Sequence, residues 1–172
     1  MLDADAVVRR LEAPGGAAVA PIAERFGRAV LSPEGGIDRN ALAQRVFCDA
    51  GERRALEAIV HPLVREAAQA WAREAPSGAF SIFSAALLFE CGWTEGWNGI
   101  VCVAASEGTQ VRRMTVIRGM EEADARARLA AQMPVAEKAR RATWTLWNDS
   151  DDFSALKAQV DALVAQWRTS SK

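Results

Sequence analysis

The 172 residues are half apolar and one quarter charged, the mix of a soluble globular chain long enough for one sizeable core. A formal net charge of −1 argues against a global basic field for nucleic acid and against an acidic disordered tail. Three widely spaced cysteines, Cys48, Cys91 and Cys102, argue against a disulfide framework or a CxxC zinc site and predict small buried hydrophobes in a reducing cytosol.

The chain opens on Leu2 and two alternate acids, Asp3 and Asp5, which reads as the end of a strand with the acids on opposite faces. Asp5 to Ala13 reads as a helix ended by Pro14, Gly15 and Gly16, and Ala18 to Phe26 as a second helix stopped by Gly27. After the loop SPEGGIDR, Asp38 is placed to cap a helix from Arg39 to Phe47. Asp49 and Glu52 form a capping-box pattern for a long helix. Leu56, Ile59, Val60, Leu63, Val64, Ala67 and Trp71 give that helix an apolar face, with a kink or break expected at Pro62 near His61.

Three runs then suit buried parallel strands: FSIFSAALLF, GIVCVAA and TWTLW. An Arg-rich helical stretch from about Gln110 to Arg141 separates the last two. A final helix carries Leu156, Val160, Leu163, Val164 and Trp167 on one face. Strands separated by helices predict an α/β fold with a parallel sheet, in a single domain over residues 1–172. No stretch reads as a signal peptide or membrane span, because Asp3, Asp5, Arg9, Arg10 and later Glu90 interrupt the apolar runs. A cytoplasmic protein without membrane or nucleic-acid partners is expected.

Chemistry has few places to sit. One of Asp3 and Asp5 would stand at the carboxyl end of a strand, the rim where α/β proteins bind ligands, while capping the following helix is the other role open to an Asp there. His61, the only histidine, suits either a structural hydrogen bond or a ligand contact. Between Arg112 and Arg141 lie eight basic and four acidic residues, a local excess of +4. Such arginines suit phosphate oxygens or, equally, a solvated face with internal ion pairs. No GxSxG, no HExxH and no second histidine is present.

In order along the chain stand DAD, EAPGGAAVAPIAERFG, GGIDRNALAQRVFCD, LEAIVHPLVRE, ALLFECGW, IVCVAAS, LAAQMPVAEKARRA and LWNDSD. In order and spacing this series resembles the dephospho-CoA kinase family along essentially the whole chain. The resemblance implies a P-loop kinase-like parallel sheet flanked by helices. It also implies a helical CoA-binding region at about residues 5–75 and a lid at about residues 110–141. The implied reaction is ATP-dependent phosphorylation of the ribose 3′-hydroxyl of dephospho-CoA, with Mg²⁺, as the last step of coenzyme A synthesis. Asp5 would be the general base. Asp3, Arg39, His61, Arg65 and Glu90 would face the substrate, and Arg113, Arg118 and Arg140 would be lid arginines on the phosphates.

In that family a strand, a glycine-rich GKS/T loop and a helix precede the DAD. Here Met1 and Leu2 precede it, and no GxxxxGK[ST] occurs in the 172 residues. The expectation is therefore a P-loop kinase core without its central strand. It comes from a start set too late, from a truncated and catalytically inactive relic, or from a non-catalytic protein that holds CoA-type ligands or a partner.

Overall fold

The computed structural model describes residues 1–47 and 49–170. Cys48, expected as a buried hydrophobe, lies outside the described residues. Two compact units form, Met1–Ala86 and Leu87–Lys172.

In the first unit, strand β1 (Leu2–Asp3) runs parallel to β2 (Phe83–Ser84), with Leu2 opposite Phe83 and Asp3 opposite Ser84. The remainder is helical: α1 (Ala4–Glu12), α2 (Val19–Phe26), α3 (Arg39–Phe47) and α4 (Ala50–Arg73), with one 3₁₀ turn at Arg28–Val30. Val7, Ala18, Ile22, Phe26, Val30, Ile37, Leu42, Val60, Val64 and Ala68 are buried. From α4 the buried residues are Val60, Val64 and Ala68, four apart, so one stripe per turn faces the other helices.

The polar caps form as the sequence reading expects. Asp38 accepts from the N–H groups of Asn40 and Ala41 at 3.0 and 3.1 Å, and Asp49 accepts from Gly51 and Glu52 at 2.6 and 3.1 Å. Glu52 bonds Arg25 at 3.1 Å, so the anticipated capping box is realised on its Asp49 side.

Two expectations are corrected here. Helix α4 is not broken at Pro62 but runs on to Arg73. Pro62 lies on the face opposite the Val60–Val64 stripe, and both it and Ala58, whose carbonyl loses its donor, are exposed. The run FSIFSAALLF forms two strand residues rather than a long buried strand, and Phe80, Ile82 and Leu87 are exposed. Its partner β1 is two residues long because Asp3 already caps a helix, which leaves the run nothing more to pair with along that edge.

In the second unit, β3 (Val101–Ala104) and β4 (Trp144–Trp147) pair in parallel over four residues, matching two of the expected strands. Between them lie α5 (Glu107–Arg112), a π-helical turn at Arg113–Ile117, α6 (Glu122–Ala130) and α7 (Val135–Arg141); α8 (Ser154–Ser170) closes the unit. Phe89, Cys102, Ala104, Val111, Ala125, Leu146 and Leu163 form its core. Trp167 of α8 meets Trp144 edge-on at 5.3 Å between ring centres. Gly99 leads into β3 against that same Trp144 ring, and a Cβ at this position would run into it. No described helix is long and apolar enough to cross a membrane.

Candidate functional site

The acid pair divides its labour. Asp3 ends β1 in an extended conformation, and its carboxylate accepts from the Ala6 N–H at 2.9 Å, capping α1. The strand stops there, so Asp5 lies in the first turn of α1 and does not alternate with Asp3 along a strand, as the sequence had led one to expect. Asp5 is exposed, and its side chain makes no hydrogen bond or ion pair with another described residue. It stands just past the carboxyl ends of β1 and β2, the rim where parallel α/β sheets carry ligands.

Arg39, His61 and Arg65 are in the same unit as Asp5. Arg39 is the first residue of α3 and pairs with Glu12, the last residue of α1, at 3.0 Å. From Asp5 to Glu12 is seven residues of helix, about 10 Å along its axis. His61 and Arg65 lie one turn apart on α4, His61 half-buried and Arg65 exposed.

The second unit holds Glu90, Arg113, Arg118 and Arg140. Arg113 opens the π-helical turn and is held from the loop after β4, donating to the Asn148 side chain at 3.3 Å and to the Ser150 carbonyl at 2.9 Å. Arg112 beside it pairs with Asp151 at 2.5 Å. Arg118 is exposed before Gly119, whose positive φ of 64° makes the turn toward α6. Arg140 is exposed on α7. Glu90 lies in the turn that opens this unit, and its carboxylate accepts from the Met133 N–H at 3.0 Å and from Lys138 Nζ at 2.7 Å.

Several residues here carry structure that the sequence reading did not single out. Ser106 caps α5, and both its N–H and its hydroxyl donate to Asp149 at 2.7 Å. These bonds from Ser106, joined by one from Thr109, hold the Asp149 carboxyl below its ordinary range. The side-chain bond from Arg112 does the same for Asp151. Ser106 directly ahead of Glu107 was the available sign of a cap. The 43-residue separation to Asp149 gives no local sign.

Among the described residues no three His, Cys, Asp or Glu side chains gather as a metal cage. Burial pushes the Cys102 thiol up.

The family model for dephospho-CoA kinase matches residues 1–153. A dephospho-CoA kinase of Anaeromyxobacter dehalogenans is 43% identical over 170 residues, covering 98% of this chain and 80% of that protein. One of Symbiobacterium thermophilum is 39% identical over 174 residues, with 98% and 70% covered. The crystal structure of TT1252 from Thermus thermophilus superposes with a TM-score of 0.79 at 34% identity, over 96% of this chain and 83% of that one. The fold is also shared, at 20% identity and a TM-score of 0.66, with a dephospho-CoA kinase from Campylobacter jejuni. These likenesses bear out the expected α/β, P-loop kinase-like class, and the chain belongs to the dephospho-CoA kinase family.

Proposed function

We propose that the protein transfers the γ-phosphoryl group of ATP to the ribose 3′-hydroxyl of dephospho-CoA, giving CoA and ADP. The observation that carries this reading is Asp5: an exposed carboxylate, without a protein partner among the described residues, just beyond the carboxyl end of β1. A carboxylate so placed can accept the hydroxyl proton as the O–P bond forms. Asp3 fixes the helix that presents it.

In this reading the helical stretch at about 5–75 faces the CoA-type substrate through Arg39, His61 and Arg65. The stretch at about 110–141 acts as a lid. Arg113, Arg118 and Arg140 meet phosphate oxygens and offset the charge that develops in transfer. Arg113 is the best prepared of the three, since two acceptors after β4 already hold its guanidinium. The glycine-rich phosphate cradle is not written in these 172 residues, so none of them is assigned that task. Mg²⁺ enters with ATP as part of the substrate. The cytoplasm, where ATP is made available and free thiols persist, is the compartment we assign.

Turnover is read as ADP and CoA formed from ATP and dephospho-CoA, alongside calorimetry of dephospho-CoA binding. Asp5→Asn is expected to remove turnover and leave binding intact. Undiminished turnover in that variant removes Asp5 as the base. Absence of both binding and turnover in the unaltered protein overturns the assignment.

A further inference from the structure

The turn at Phe89–Glu90 holds α7 at three points. Glu90 Oε1 accepts from the Met133 N–H, just ahead of α7, at 3.0 Å. The same oxygen lies 2.7 Å from Lys138 Nζ, in the middle of α7, and the two side chains are only 22% and 14% exposed. The buried Phe89 ring lies 5.2 Å from the Arg141 guanidinium, at the end of α7. Lys138 and Arg141 are three apart and share a face. Arg140 falls on a different face of α7 and is exposed.

We propose that Glu90 is a positioning residue, which fixes α7 so that Arg140 is presented to the phosphoryl group in transfer. The proposal rests on the phosphate role assigned to Arg140 above. It gives Glu90 a task directed at the protein, in place of the direct substrate contact that the resemblance implies. The chemistry suits the task. One ionised carboxylate binds a backbone N–H and an ammonium 5 residues apart, so it sets both the start and the rotation of the helix. Burial raises the Glu90 pKa, and the bonds from Lys138 and Met133 outweigh it, so the carboxyl sits below its ordinary value and stays charged. The neighbouring Arg141 is occupied by Phe89 and by Glu137, at 3.7 Å, which leaves Arg140 as the arginine of this helix directed elsewhere.

The test has two arms on the full chain. Amide exchange comes first: Glu90→Ala is expected to speed exchange at residues 133–141 by roughly tenfold and leave α5 and α8 unchanged, with Glu90→Gln between the two. Equal exchange in the unaltered and Ala proteins overturns the proposal. The second arm is a kinetic cycle with Arg140→Ala. Glu90→Ala is expected to lower kcat roughly 10- to 100-fold, to leave KM for dephospho-CoA nearly unchanged, and to add nothing once Arg140 is gone. Full additivity of the two losses overturns the proposal. A protein with no turnover at all would sink the kinase assignment, and the exchange arm then decides the positioning claim alone.

Discussion

Glu12 Oε2 lies 3.0 Å from Arg39 Nε, and the two side chains sit in opposite environments, 8% and 56% exposed. The pair joins the end of α1 to the start of α3. The backbone reinforces that joint, because the Ile37 N–H donates to the Glu12 carbonyl at 2.8 Å. Gly36 lies so close that a Cβ there would stand 2.9 Å from Pro14 Cδ and 3.0 Å from the Glu12 carbonyl oxygen. A buried carboxylate is stable here only because a guanidinium reaches it from the solvent side.

Removing Arg39 therefore leaves Glu12 buried without its counter-charge. Arg39→Ala is expected to cost about 2 kcal/mol in urea unfolding at neutral pH. Adding Glu12→Gln to that variant should restore part of the loss, since a neutral amide is cheaper to bury than a lone carboxylate. A double variant less stable than Arg39→Ala alone would contradict this account of the pair.

The same pair gives stability a defined pH dependence. Burial raises the Glu12 pKa above 4.5, and the charge of Arg39, 3.0 Å away, pulls against that rise without cancelling it. A carboxyl with a raised folded pKa binds its proton more tightly folded than unfolded. Its contribution is thus fullest below the unfolded value and falls as pH rises through the folded one. Unfolding midpoints of the unaltered protein and Glu12→Gln, compared from about pH 4 to about pH 7, should diverge in favour of Gln as pH rises. A constant difference would remove the titration of Glu12 from the argument.

Packing in the first unit centres on Ile22, which is 0% exposed. Ile22→Ala is expected to cost about 3 kcal/mol, the usual price of a buried aliphatic truncation. Phe47, 82% exposed at the end of α3, should tolerate Ser within about 0.5 kcal/mol. Chemical denaturation of both variants checks the contrast, and equal losses would mean that the core lies elsewhere.

Helices were the legible part of this sequence. Caps such as Asp38 and Asp49, stops such as Gly27, and the Val60–Val64 spacing are local signals, and local signals survive into the fold. TWTLW and IVCVA read correctly as strands because each finds the other over four residues. FSIFSAALLF is also an apolar run and misled, because the extent of a strand is decided by its partner and not by its own residues. The site divides along the same line. The DAD acids and the basic stretch could be picked out by type and order. Which acid caps and which stays open depended on where β1 ends. The bonds of Glu12 to Arg39, Glu90 to Lys138 and Ser106 to Asp149 join residues 27, 48 and 43 positions apart, and no periodicity reports them.

The loop after β4 should respond to pH in the opposite sense from Glu12. The side-chain and backbone bonds from Ser106 hold the Asp149 carboxyl below its ordinary value of 3.8. A depressed folded pKa gives stabilisation that is present above the unfolded value and is lost as pH falls through the folded one. The stability difference between the unaltered protein and Asp149→Asn should be flat from about pH 7 to about pH 5 and shrink below about pH 4. In a Ser106→Ala background, where the hydroxyl donor is gone, the same comparison should vary less with pH. Because Asp149 is exposed, added salt should change its contribution little if the short bonds to Ser106 dominate, and strongly if long-range charge does. Urea midpoints across that pH range, at low and high salt, separate the two, and a difference that grows toward acid would overturn the assignment of these bonds as the cause.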